Sequence, residues 1–316
     1  MILYIFIFII SFFLLILSSN WLIKALIKLA KFLGWKEFVV GFFTMALAGA
    51  IPNLSVGLSS VIHKIPQLSF SEIVGGNIID LTLAMALAAL ISKGGLTLAS
   101  RTVQGSAIFT ILVAVLPLLL IFDGTLSSMD GLLLILAFII YIFWLFHKED
   151  RFSKVYNKMK EPLGFKTAFK NVGLLIGAVI VLLLAAEGIV RSATFFSITL
   201  NFPLVLIGTL IIGLGNALPE IIFGIQAARK GNDWLVVGNL MGSVIIPATL
   251  VLGLVAFLRP IEITDFSPYA IGRFFLIMAA IFFLLFLRTG QKITKKEAIF
   301  LLGIYLAFIL AEVLFA

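Results

Sequence analysis

Long apolar runs separated by short polar clusters recur along the whole chain, and the most polar stretch is His147 to Lys170. A helix that crosses the hydrocarbon core of a bilayer needs about 20 apolar residues. That requirement picks out ten spans, at 1–30, 38–62, 68–92, 104–122, 127–146, 171–199, 203–228, 233–257, 268–288 and 297–316. Lipid offers the backbone no hydrogen-bond partner, so runs of this length predict helices. The pattern therefore predicts an all-α polytopic membrane protein with ten transmembrane helices. The first run, Ile2 to Leu17, lacks a basic head and a small-residue cleavage site, and reads as a retained span rather than a signal peptide.

Composition agrees, since 62% of the 316 residues are hydrophobic and only 12% are charged, too few to cover the surface of a water-soluble core. The absence of cysteine excludes disulfides, thiolate metal sites and cysteine nucleophiles. A formal charge of +8 would point to nucleic acid in a soluble protein, but here most basic residues sit between spans or near their ends and read as topology signals. If loops alternate sides, 19 Lys and Arg fall on one side and only Lys64, Arg191, Arg259 and Arg273 on the other. The first side is expected to be cytoplasmic, with both termini outside and the basic loop 147–170 inside, where setting orientation accounts for its charge without contact with anionic membrane lipid being required.

That loop divides the chain into five spans on each side, 1–146 and 171–316. Five is odd, so the halves are expected to enter the membrane in opposite directions. They also resemble each other. Val40 to Asn53 lines up with Ile207 to Glu220 at an offset of 167, with Gly41/Gly208, Leu47/Leu214, Ala50/Ala217, Pro52/Pro219 and Gly57/Gly224 identical. The same offset pairs Asn20 with Glu187, and Gly76-Asn77 matches Gly238-Asn239 at an offset of 162. Inverted repeats of this kind mark secondary transporters, with the substrate near mid-membrane at the repeat interface.

Three acids lie well inside spans: Asp80, Glu187 and Glu220. An acid at mid-span costs roughly 2.5–3.5 kcal/mol on insertion, so it is expected to line a polar path or to be paired. Glu220 follows Pro219 in Gly213 to Glu220, where proline removes a backbone donor and the glycines permit close approach or unwinding. Freed carbonyls beside a carboxylate suit a hard cation such as Ca²⁺ or Na⁺. Asp80 shares a helix face with Asn77, three residues before it. If that face meets the Glu220 helix, two carboxylates about 5 Å apart repel by roughly 3 kcal/mol at an effective dielectric of 20, and must share a cation or take up a proton. Asn53, Asn216, Asn77, Asn239 and Ser243 surround the same signatures and read equally as cation ligands or as polar contacts between helices. Glu187 and its counterpart Asn20 read as gating or helix-pairing residues. Glu72, at the start of its span, reads as solvated, and His63 and His147 as ordinary interfacial histidines without a partner acid.

At these residues the sequence resembles the cation/Ca²⁺ exchanger superfamily, which includes sodium/calcium and proton/calcium exchangers. Leu218-Pro219-Glu220 looks like the second-half signature and Gly238 to Ser243 like its partner motif, while Ser19-Asn20-Trp21 and Ala186-Glu187 resemble the start of each half. The resemblance implies ten helices in inverted five-helix repeats and cation antiport by alternating access. It also implies a Ca²⁺ held between one glutamate from each half, with no cofactor beyond the transported Ca²⁺, Na⁺ or H⁺. Here the first of those glutamates is replaced by Asn53, the partner motif carries Asp80 and Leu81 in place of glycine and serine, and sodium-site positions fall on Met85 and Pro247. If Asp80 restores the missing charge, the site keeps two negative charges and suits Ca²⁺ or another divalent ion, with protons favoured as counter-ion. If it points elsewhere, one carboxylate suits a monovalent cation or a proton. An intramembrane enzyme is disfavoured, because the chain has no His-Glu-x-x-His pair and no paired aspartates at helical spacing. A divergent transporter of another substrate, or a member that has lost transport, stays open.

Overall fold

The structure, a computed structural model, describes residues 1–32, 37–97, 101–147, 165–263, 267–290 and 292–315, so most of the basic loop, 148–164, lies outside it. Among the described residues the expected spans appear as ten helical rods. In the first half these are α1 (Ile2–Phe32), α2 (Glu37–Ile62), α3 (Gln67–Ile79) continuing into α4 (Met85–Ile91), α5 (Arg101–Leu120) and α6 (Ser128–His147). In the second half they are α7 (Phe165–Leu200), α8 (Leu204–Leu206) continuing into α9 (Gly213–Arg229), α10 (Asp233–Ile246) continuing into α11 (Leu252–Leu258), α12 (Ser267–Gly290) and α13 (Lys295–Phe315). Ile2, Phe6, Ile9, Phe13, Ile180 and Leu184 are exposed along α1 and α7, as a lipid-facing surface requires.

Three rods are interrupted by a π turn, at Asp80–Ala84, Ile207–Ile212 and Pro247–Val251. Each turn holds a threonine whose hydroxyl donates to the carbonyl four residues back: Thr82 to Ile78, Thr209 to Val205 and Thr249 to Ile245. Such back-bonding bends a helix, and a π turn widens it so that a neighbouring side chain is re-aimed. The stretch Gly213 to Glu220 is not unwound as its glycines suggested. It remains α-helical through Pro219, and the irregular backbone lies just before it, at Ile207–Ile212.

A single shift of 167 residues carries Glu37–Ile62 onto Leu204–Arg229, Asp80–Ala84 onto Pro247–Val251, and Met85–Ile91 onto Leu252–Leu258. The sequence match at 162 is therefore a slip of five residues. A Gly-Asn pair is too short to fix register, whereas the two π turns fix it through backbone geometry. In the corrected register Asn53 stands opposite Glu220, Glu72 opposite Asn239, Gly76 opposite Ser243, and Asp80 opposite Pro247.

Two short strand pairs tie the halves together. β1 (Leu96–Thr97) pairs antiparallel with β4 (Lys292–Ile293), and β2 (Thr125–Leu126) with β3 (Ile261–Glu262). Each pair joins loops that alternating spans place on the same side of the membrane. The packing separates into two main apolar clusters. One is built chiefly by α3 to α6 and α9 to α13, and the other by α1 and α7 with Ile51, Val56, Leu68, Ile207 and Ile212. Most of this second cluster lies between α1 and α7, where Tyr4 stacks on Phe195 with ring centres 3.8 Å apart.

The close crossing of α3 with the π turn before α9 depends on Gly75. A methyl group there would lie 2.1 Å from the Thr209 carbonyl oxygen, whereas one at Gly76 would meet nothing within 4 Å. Gly75→Ala should therefore destabilise the folded protein by about 1–3 kcal/mol, the usual cost of overpacking, while Gly76→Ala leaves thermal stability in detergent unchanged or slightly raised. Equal midpoints for the two variants would rule out this account of the crossing.

Candidate ion-binding site

Where the halves meet, α2, α3, α9 and α10 enclose a cavity of about 10 Å³, room for one water-sized occupant. Asn53, Asn77, Asp80, Asn216, Glu220 and Ser243 supply its polar lining, and Ile73, Gly76, Ala217 and Pro247 its apolar and backbone lining. The first half contributes Asp80 from the start of its π turn. The second contributes Glu220 from α9, one residue after Pro219, whose missing N–H leaves the Gly215 carbonyl without its helical donor. Asp80 and Glu220 are 4% and 6% exposed, so neither carboxylate is solvated.

Ser243 on α10 donates from Oγ to Asp80 Oδ2 at 2.6 Å, fixing one carboxylate oxygen across the repeat interface. Asn216 Nδ2 donates to Asn53 Oδ1 at 3.0 Å, a bond between the two repeat signatures. Buried oxygens remain without a hydrogen-bond partner at Asp80 Oδ1, Asn216 Oδ1 and Glu220 Oε2. All are hard oxygen donors, and such donors left unsatisfied in an apolar interior are costly unless a cation or proton neutralises them.

Three expectations need correction. Asn239 is half-buried on α10 and does not line the cavity; in the corrected register its counterpart is Glu72, and Ser243 is the α10 residue that reaches the site. Glu72 is not solvated. It is 1% exposed, and its Oε1 accepts a hydrogen bond from Asn216 Nδ2 at 2.5 Å. Its place near the start of a span suggested water, but that part of α3 is enclosed by its neighbours and only Gln67, one turn earlier, is partly open. His63 does have a partner acid, since its Nε2 lies 2.7 and 2.8 Å from the two Glu187 carboxylate oxygens. Sequence spacing could not show this because 124 residues separate the two. The side chain of His147 is outside the described residues.

Glu187 also accepts from Ser59 Oγ at 2.9 Å and from Arg191 Nε at 2.6 Å, so it ties α7 to the end of α2 rather than reaching the cavity. Asn20, its counterpart, is exposed on α1. A further acid that the span pattern did not single out, Glu312 on α13, is fully buried with both carboxylate oxygens unpartnered, in space left open by Gly272.

Residues 3–147 and 170–314 match the sequence model of the family described as sodium/calcium exchanger protein. The chain belongs to this family. Among its relatives, inner membrane protein YrbG of Escherichia coli is 26% identical over 94% of this chain and 92% of its own length. Sodium/calcium exchanger MaX1 of Methanosarcina acetivorans is 26% identical over 93% of this chain and 94% of its own. The fold matches the crystal structure of the H⁺/Ca²⁺ exchanger CAX with a TM-score of 0.75 at 17% identity, over 98% of this chain and 82% of that one. This exchanger family member is thus a multi-pass membrane protein of two inverted five-helix repeats.

Proposed function

We propose that this family member is a secondary active antiporter that exchanges Ca²⁺, or another divalent cation, for Na⁺ or H⁺ by alternating access. The observation that carries this reading is the meeting of Asp80 and Glu220, one carboxylate from each half, at a single buried cavity. Two formal negative charges match a divalent ion. Asp80 takes over the charge that Asn53 lacks, from two turns beyond Glu72 on α3. Ser243, Asn77, Asn53 and Asn216 complete the oxygen shell, and the small cavity suits one largely dehydrated ion.

Conversion between inward and outward access falls to the α1/α7 pair, which packs chiefly on itself in a cluster distinct from the main core. Glu187 is the gating or helix-pairing residue, joining that pair to α2 through Ser59 and His63. The lysine and arginine distribution supports an arrangement with loop 147–170 in the cytoplasm and both termini outside. The names of two similar proteins, a sodium/calcium exchanger and an H⁺/Ca²⁺ exchanger, support the two classes of counter-ion.

The test is flux into proteoliposomes of the purified chain. Radiolabelled Ca²⁺ should accumulate above the level in protein-free vesicles when an outward Na⁺ or H⁺ gradient is imposed, and should stop when that gradient is collapsed by an ionophore. Uptake of Na⁺ or K⁺ with no Ca²⁺ movement under any gradient would replace this reading with a monovalent carrier.

A further inference from the structure

Glu72 stands opposite Asn239 in the repeat and, like it, does not line the cavity. It is nonetheless a carboxylate buried to 1% exposure, in contact with a residue that does line it. An asparagine amide has two N–H donors on one arm and a carbonyl oxygen on the other. Both arms of Asn216 are accounted for: Nδ2 donates to Glu72 Oε1 at 2.5 Å and to Asn53 Oδ1 at 3.0 Å, while Oδ1 is buried with no hydrogen-bond partner.

The choice between the two amide orientations is decided by these partners. Turned over, Asn216 would set its own oxygen against a carboxylate oxygen and an amide oxygen, with no hydrogen between them. Held as it is, it leaves its carbonyl oxygen as the polar atom free for the cavity. We propose that Glu72 is a positioning residue for the cation: by holding the Asn216 amide from behind, it aims the Asn216 oxygen at the ion bound by Asp80 and Glu220.

The arrangement occurs on one side of the pseudo-symmetric pair only. In the corrected register the counterpart of Asn216 is Gly49 and that of Glu72 is Asn239, so the other half has no amide to hold and no carboxylate to hold it. It accompanies the loss of charge at Asn53, where an oriented amide dipole adds negative potential without a further charge inside the cavity. The inference rests on the ion site proposed above.

The test is Ca²⁺ binding to the full chain in detergent, by calorimetry with Ca²⁺ alone as the probe. Glu72→Leu, which removes the acceptor, should weaken binding about 10- to 100-fold, as loss of an orienting partner behind a metal ligand does. Glu72→Gln keeps an oxygen that can accept from Asn216 and should restore affinity to within about threefold of the parent. In an Asn216→Ala background, Glu72→Leu should have no further effect, because the two act as one unit. Asn216→Ala alone should cost as much as Glu72→Leu, which keeps the idea testable even if leucine at position 72 prevents folding.

Equal loss from Glu72→Gln and Glu72→Leu, additive losses in the double variant, or parental affinity in Asn216→Ala would each overturn the positioning role. Glu220→Gln separates this failure from that of the site itself. If it abolishes binding while the variants at 72 and 216 do nothing, the site stands and the positioning role falls. If it leaves binding intact, the site reading falls first.

Discussion

Glu220→Gln should abolish Ca²⁺ exchange in reconstituted vesicles while leaving the protein folded. Glutamine matches glutamate in shape, and Glu220 Oε2 has no hydrogen-bond partner for the change to break. What disappears is one unit of negative charge at a buried site. At an effective dielectric of 20, two unit charges 4 Å apart interact by about 4 kcal/mol, and a divalent ion doubles the attraction. Even after allowing for the lower cost of burying a neutral amide, the loss in affinity should exceed about a hundredfold, or roughly 3 kcal/mol. The measurement is the initial rate of gradient-driven uptake of radiolabelled Ca²⁺, alongside a melting curve. A rate near that of the parent would show that the ion is bound elsewhere.

Asp80→Asn should have a different signature, a change in which ion is preferred. Ser243 donates to Asp80 Oδ2 at 2.6 Å, and an asparagine oxygen can accept the same bond, so the interface between the halves is kept. The site is left with the single charge of Glu220 and a shell of neutral oxygens. A divalent ion then carries an uncompensated charge in a buried cavity, and its affinity should fall by about a hundredfold or more. A monovalent cation, which one carboxylate neutralises, should lose less than about tenfold. Competition between Ca²⁺ and Na⁺ or K⁺ in a binding assay reads the difference directly. Equal losses for both ions would mean that Asp80 shapes the cavity without setting its charge, and parental Ca²⁺ affinity would remove it from the site.

Much of this organisation was legible in the chain itself. The spans follow from the lengths of apolar runs, and the division into two opposed halves follows from five spans on each side of one basic loop. Asp80 and Glu220 stood out for an equally local reason, since a carboxylate inside an apolar run is costly wherever the fold places it. Asn53 in place of a glutamate was visible too, as a missing charge at a repeated position.

Other features became visible only when helices distant in sequence were brought together. Glu72 looked solvated because distance from a span end was the only available measure of depth, whereas its burial is set by the helices around α3. His63 and Glu187 are far apart along the chain and meet because α2 and α7 pack side by side. Residue identities in apolar helices are too sparse to fix the register of the α3 and α10 repeats, and the two π turns provide the landmark that identities cannot.

By itself, then, the sequence determined that the chain crosses a membrane about ten times, that its halves are related and oppositely directed, and that Asp80, Glu187 and Glu220 fall well inside apolar runs. These are consequences of hydrophobic length and of the cost of burying charge, both summed along the chain. The tertiary structure decided which of those charges share a cavity, that Ser243 rather than Asn239 reaches it, and that a third carboxylate, Glu72, stands behind Asn216. Those outcomes depend on the rotation and crossing of helices, and a π turn or a glycine contact shifts them by a fraction of a turn that no pattern of apolar and polar residues records.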